Sequence, residues 1–315
     1  MTILVTGACG AIGSHVAEAL KEAGHHVIGV DCFTPYYARQ LKDLNRQEIE
    51  EKGIQIIQAD LAFDDLAPLV SAVNVIFHFA AQPGISESTP FVDYVNNNIY
   101  ATQRLLEEVK KQGHIELFVH ASTSSVYGAF ASSDETAEVK PTSAYGATKL
   151  AAEQLALAYQ RDQGLPVTVL RIFSAYGERE RPEKLYHKFI KAVLEGTPFP
   201  LHEGSENHIR SYSYVGDIVN GCMLALAHKE KAIGEIFNIG SDKTVTTGEG
   251  LKLVEEIIGK KAQIMQTPKR AGDQLETSAN IMKARRILGY RPLMTLPEGL
   301  RRQVAWYTKS VFGKM

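Results

Sequence analysis

The 315-residue chain carries three cysteines, one tryptophan and almost no net charge. Cys9, Cys32 and Cys222 are odd in number and far apart. They make neither a disulfide framework nor a metal-ligand cluster, and they fit a reducing cytoplasm. The 34 basic and 36 acidic side chains leave a formal charge of −2. Such a balance gives no electrostatic basis for binding nucleic acid or an acidic membrane surface. No run approaches the roughly 20 apolar residues that span a bilayer. Met1–Thr6 lacks a basic leader and meets a glycine at once, so it reads as a strand rather than a signal peptide. Repeats and low-complexity segments are missing too. Hydrophobic residues at 44% and charged residues at 22% describe an ordinary globular chain. Its length suits one large domain or two intimate ones.

Short apolar runs alternate with longer amphipathic stretches through the first half. The runs are Ile3–Thr6, His26–Val30, Ile54–Gln58, Val73–Phe79, Leu117–Ala121 and Val167–Ile172. Between them Ser14–Ala23, Asn96–Lys111 and Tyr145–Arg161 place apolar residues three and four apart, the helical spacing. This alternation predicts an α/β fold, a doubly wound parallel sheet of Rossmann type. After Phe173 the pattern changes. Arg179–Lys184 is charged, Gly196–Pro200 reads as a turn and His202–His208 is polar. Val215–Ala227 then reads as a helix and Glu235–Ile239 as a strand that returns to the sheet. Further helical patterns lie at Thr247–Gly259, Ile281–Leu288 and Leu296–Tyr307. The expected division is a sheet domain of residues 1–173 plus about 214–241, and a smaller C-terminal α/β substrate domain of residues 174–213 plus 242–315.

The first run leads into Gly7, Gly10, Ala11, Ile12 and Gly13, spaced G-x-x-G-x-x-G before a helix. A pyrophosphate reaches backbone N–H groups at a helix N-terminus only where side chains do not block it. A glycine-rich turn without a ligand would share this spacing. Asp31, taken with the strand, loop and helix, favours a bound dinucleotide. It ends the second strand, about 20 residues after the loop, where a carboxylate holds both ribose hydroxyls. The same carboxylate repels a 2′-phosphate, so NAD is expected over NADP. Asp60 and Leu61, after the third run, are placed to cover adenine, although a strand-ending Asp is an ordinary feature.

Tyr145 and Lys149 lie four apart at the start of a helical pattern and share a face. The run at Leu117–Ala121 ends in Ser122, Thr123, Ser124 and Ser125, at the sheet edge where ligands bind in such folds. A phenol with a pKa near 10 is a poor base at neutral pH. A nearby ammonium and a positive nicotinamide would both favour phenolate. Thr123 could donate to, or relay a proton from, the same substrate oxygen.

Together these residues resemble the extended short-chain dehydrogenase/reductases, the NAD-dependent branch acting on nucleotide sugars. The resemblance includes Thr6–Gly13, Asp31, Asp60-Leu61, His78-Phe79-Ala80-Ala81, Ser122–Gly128 and Tyr145/Lys149. It continues through Arg171–Gly177, Arg210–Asp217, Asn238-Ile239-Gly240 and Arg270–Asp273. It implies bound NAD, contacted also by Phe79, Ala80, Ala81, Tyr145 and Lys149. It further implies a nucleoside diphosphate held by Arg210, Arg270 and Asp273, two arginines suiting a pyrophosphate. Homodimers are common in the family, through the helices near 96–111 and 145–161.

The two residues after Thr123 distinguish the members. Family dehydratases place an acidic pair there and decarboxylases a glutamate. Ser124 and Ser125 do neither job, which is similar to the 4-epimerases. The implied cycle oxidises C4, turns the 4-keto sugar over and returns hydride to its other face. The stretches around Ser124, Ser125, Ser174 and Arg179–Glu183 are similar to UDP-glucuronate 4-epimerases, with Arg181 mapping beside the sugar carboxylate. UDP-glucose and UDP-N-acetylglucosamine remain open, the latter because a small Thr277 would leave room for an N-acetyl group. A dehydratase, decarboxylase or reductase of the same family is the second reading. A catalytically silent NAD(H)-binding regulator is the third.

Overall fold

The computed structural model describes residues 1–84, 88–269 and 276–314. Seven parallel strands form the main sheet: β1 (Thr2–Thr6), β2 (His26–Asp31), β3 (Gln55–Gln58), β4 (Val75–His78), β5 (Leu117–Thr123), β6 (Val167–Ile172) and β7 (Ile236–Ile239). Their spatial order is β3-β2-β1-β4-β5-β6-β7, so the chain winds outward first one way and then the other from β1. That reversal between β1 and β4 opens a crevice at the strand C-termini.

The strands are apolar throughout because helices cover both faces. Ile3 and Val5 of β1 point to one core with Val16, Ala17 and Leu20 of α1 (Ala11–Glu22). Leu4, between them, points to the opposite core with Leu105 and Leu106 of the helix Ala101–Gln112. The two-residue period of the strand thus feeds two separate layers.

A third core lies beyond the sheet. Tyr186 and Phe189 of the helix Leu185–Glu195, Leu251 and Val254 of the helix Thr247–Ile258, and Leu300 and Val304 of the helix Leu296–Ser310 pack together. The return of Ile236–Ile239 to the sheet, beside β6, agrees with the sequence pattern. Gly196–Pro200 departs from it. Gly196 ends a helix in the left-handed conformation, but Pro198–His202 is a strand paired in parallel with Gln263–Thr267. In a two-stranded sheet prolines can turn to the open edge, so the composition of a turn does not prevent pairing. Two of the longer helices, Arg39–Glu51 and Leu185–Glu195, have no counterpart in the sequence patterns. The first buries only Leu41, Lys42, Asn45 and Ile49, two of them polar, which hides its inner face.

The stretch expected as one helix over Asn96–Lys111 is two structures. Val95–Tyr100 is a π-helical turn that continues into the α-helix Ala101–Gln112. Asn98, within that turn, is buried. It donates to the Gln82 carbonyl and to the Thr148 hydroxyl, and it accepts from the Gln82 N–H. The widened turn thereby ties the end of β4 to the Tyr145 helix. Such turns concentrate at functional sites.

Candidate active site

One cavity of about 1000 Å³ runs along the C-terminal edge of the sheet and over the third core. Of the residues singled out in the sequence, Gly7, Gly10, Ala11, Ile12, Gly13, Asp31, Asp60, Leu61, Phe79, Ala80 and Ala81 line one end. Thr123, Ser124, Ser125, Tyr145, Lys149 and Ser174 line its middle, and Arg181 and Arg210 lie towards the third core. Thr277 lies apart from these residues. It sits in a small sheet between Arg210 and Ala131, is 1% exposed and does not border the cavity. Arg270 and Asp273 lie outside the described residues.

Backbone shape decides the first end. Gly13 packs so closely on the loop that a Cβ there would lie 2.3 Å from the Gly7 carbonyl oxygen. Gly7 has φ +67°, and a Cβ would approach the Ala80 nitrogen to 2.8 Å. No side chain caps the start of α1 and no acidic residue occupies its first turn. Its opening N–H groups and positive dipole end therefore face the cavity, as an anion requires.

The carboxylate at the end of β2 is held as a ribose ligand must be. Asp31 accepts from the Cys9 N–H at 3.1 Å and the Phe33 N–H at 2.8 Å. Lys42 stands 3.7 Å away. A carboxylate offers about four acceptor positions, so capacity remains for two hydroxyls. Asp60 closes its own turn by accepting from the Ala62 N–H. The residues present fit an NAD molecule from adenosine to nicotinamide.

At the middle, Ser143 caps the helix Ala144–Gln163 by accepting from the Gly146 N–H, which sets Tyr145 and Lys149 on its cavity face. Burial pushes the Tyr145 phenol above its ordinary value, against the pull of the Arg181 guanidinium and a hydrogen bond with Thr123. Lys149 is 3% exposed, and burial brings its ammonium down to about 8. Glu153, one turn further, pulls the other way, although Arg171 holds both of its carboxylate oxygens, at 2.6 and 3.1 Å. Behind Lys149, His78 bridges the hydroxyls of Thr6 and Thr102, and burial lowers its ring to about 3. It stays neutral, which spares Lys149 a second buried charge.

The far end is built by side chains from loops. Arg179 has φ +60° and reaches back to Glu18 of α1, at 2.7 Å, and to Glu48. This buried network pins the Arg179–Lys184 stretch to the helices beneath the glycine loop. Two residues on, Arg181 pairs with Glu183 at 2.9 Å. Glu180 also borders the cavity. Its carboxylate accepts from the His187 N–H and Gln303, and burial raises it to about 7. Tyr36, Asn97, Glu183 and the strand Pro198–His202 border the site as well. Sequence reasoning gave none of them this place. Only Glu183 carried a signal, as the acidic residue next but one to Arg181.

Residues 3–240 match the NAD dependent epimerase/dehydratase family. The chain belongs to that family. It is 40% identical to an uncharacterised UDP-glucose epimerase, YtcB, of Bacillus subtilis, across the whole of both chains. It is 38% identical to UDP-glucuronate 4-epimerase 4 of Arabidopsis thaliana, over 98% of this chain and 75% of that one. The solved UDP-glucuronic acid 4-epimerase of Bacillus cereus, in complex with UDP-glucuronic acid and NAD, superposes with a TM-score of 0.93. It shares 37% identity over 98% of this chain and 99% of that one. The family is NAD-dependent.

Proposed function

We propose that the protein is a UDP-sugar 4-epimerase whose main substrates are UDP-glucuronate and UDP-galacturonate. The observation that carries this reading is one cavity holding Thr123, Tyr145 and Lys149 with Arg181, and only hydroxyls at Ser124 and Ser125. A dehydratase or decarboxylase needs a carboxylate acid or base at those two positions. The B. cereus and Arabidopsis relatives named for UDP-glucuronate support the choice of sugar.

Bound along this cavity, NAD would supply a reversible hydride acceptor for C4 and a positive charge that would favour phenolate at Tyr145. Tyr145 Oη removes the O4 proton and later gives it back, so no proton is consumed. Thr123 holds the same sugar oxygen and, through its hydrogen bond, steadies the phenolate. Lys149 would hold the cofactor and supply positive charge in this part of the cavity. The Arg181 guanidinium presents a planar fork to the sugar carboxylate. Ser124, Ser125 and Ser174 offer hydroxyls to the ring as it turns over. Arg210 takes the diphosphate, with Arg270 and Asp273 assigned to the same task.

The sheet unit, residues 1–173 and about 214–241, serves the cofactor, and residues 174–213 with 242–315 serve the nucleotide sugar. A homodimer through the helices near 96–111 and 145–161 is supported by Phe91, Val92 and Tyr100, large apolar side chains left exposed beside the first of them. Three free cysteines support a cytoplasmic site of action. Among the described residues no helix is long and apolar enough to cross a membrane.

Tyr145→Phe tests the assignment. Turnover of UDP-glucuronate should fall by about 10³-fold or more, within the range of lost acid–base catalysis, with thermal midpoint and bound NAD unchanged. Retained turnover would remove Tyr145 from the base role.

A further inference from the structure

The segment between β2 and the helix Arg39–Glu51 crosses from the cofactor end of the cavity to the sugar end. It starts at the carboxylate that ends β2. Phe33, with φ +55°, donates its N–H to Asp31 Oδ1 at 2.8 Å. Lys42 holds the middle, donating to the Thr34 carbonyl and hydroxyl at 3.3 and 3.2 Å. Its ammonium also lies 5.1 Å from the Tyr37 ring, which meets the ring of Tyr36 edge-on. Cys32, Thr34, Tyr36 and Tyr37 all border the cavity. Tyr36 is the tip. Its hydroxyl lies over Gly84, where a Cβ would come to 2.5 Å from it. Gly84 has φ +83°, and its carbonyl accepts from the Tyr94 hydroxyl at 2.8 Å. The Tyr94 ring stands 6.5 Å from that of Tyr145. The bare backbone at Gly84 is thus a seat for Tyr36, fixed from behind by the residue beside the proposed base.

The chemistry of the tip gives its use. Burial and the Glu183 carboxylate both push the Tyr36 phenol above its ordinary value, so it stays protonated at neutral pH and can donate. Arg181 and Tyr145 act on the same phenol, which places it among the groups of the sugar end. Among the described residues its hydroxyl has no hydrogen-bond partner. The charged groups around it already have one another. Glu183 stands 2.9 Å from Arg181, and Lys184 is drawn to Glu180 as well as to Glu183. A carboxylate offers about four acceptor positions, and one edge of a guanidinium fills two. Tyr36 is the uncharged donor left to fill a third. We infer that Tyr36 is a substrate-binding residue, whose hydroxyl donates to the sugar carboxylate beside Arg181, and that residues 32–38 are the strap that carries it there from the cofactor strand. This rests on the reading that the sugar carboxylate faces Arg181.

The experiment measures binding by calorimetry in NAD-loaded protein carrying Tyr145→Phe, which prevents turnover. The ligands are UDP-glucuronate, UDP-glucose and UDP, with Tyr36 intact and as Tyr36→Phe, which keeps the ring and removes only the hydroxyl. With Tyr36 intact, UDP-glucuronate should bind more tightly than UDP. Tyr36→Phe should weaken UDP-glucuronate about tenfold or more, the scale of a hydrogen bond to a charged group. UDP-glucose lacks the carboxylate and should weaken by about threefold at most, the scale of a neutral hydrogen bond. UDP binding and NAD content should not change. A Phe variant indistinguishable from the parent, or equal losses for UDP-glucuronate and UDP-glucose, would overturn the contact. A loss shared by UDP would also overturn it, since UDP has no sugar to hold. If UDP-glucuronate binds no better than UDP even with Tyr36 intact, the reading of Arg181 falls first and this inference with it.

Discussion

The two ends of the cavity are made in different ways. At the cofactor end the backbone is the ligand. Gly7 and Gly13 have no room for a side chain, and Asp31 is fixed by two N–H groups. At the sugar end side chains are the ligands. They come from loops, and Arg181 and Glu183 stand close together without satisfying one another. A site built from backbone tolerates few residue types at each position. A site built from side chains can be assembled from many positions, and it stays adjustable until the substrate arrives.

The sharpest way to break this contrast is to put a side chain into the backbone end. Gly13→Ala would bring a Cβ to 2.3 Å from a carbonyl oxygen that cannot move without reshaping the loop. The variant should purify with almost no NAD, read as nucleotide released on denaturation, and should lose all turnover unless NAD is added in large excess. Normal NAD content would show that the loop yields to a side chain and is not rigid.

Arg179 is the joint between the ends. Arg179→Gln would leave Glu18 and Glu48 without their buried partner, and breaking such a network costs about 3 kcal/mol. Urea unfolding should show that loss. KM for UDP-glucuronate should rise more than the dissociation constant for NAD, because Arg181 hangs from the same loop. Arg39→Gln removes a pair that is half exposed on both sides, and it should change stability by less than about 0.5 kcal/mol.

A smaller effect separates the middle of the cavity from both ends. In the proposed role Lys149 acts as an ammonium, and burial has brought its pKa to about 8. Charge is present below that value and lost above it. Turnover should therefore decline through about pH 8 and fall tenfold per unit beyond it, while UDP binding stays flat. An alkaline limb only above pH 10 would mean that Lys149 is not desolvated as the structure has it.

The same contrast explains what the sequence revealed. The main strands were legible because burial on both faces leaves continuous apolar runs, as in Val75–His78. The glycine loop, Asp31 and the Tyr145/Lys149 pair were legible because each is local, within one turn or one strand–loop–helix unit. Arg39–Glu51 was not, since its inward face carries Lys42 and Asn45 as well as Leu41 and Ile49. The π-turn at Val95–Tyr100 was not, since one inserted residue per turn hardly disturbs helical spacing. The place of Thr277 outside the cavity lining was not legible, because it depends on a small sheet assembled from four distant segments. The reach of Arg179 to Glu48 spans 131 positions and leaves no local trace.

The central claim is that this cavity inverts C4 of a UDP-sugar with a cofactor it never releases. Proton NMR of the purified protein with UDP-glucuronate in deuterated buffer, with no cofactor added, tests it directly. The expected result is conversion to UDP-galacturonate with no deuterium in the ring, since the hydride leaves C4 and returns there. A UDP-pentose product, or deuterium built into the ring, would contradict it.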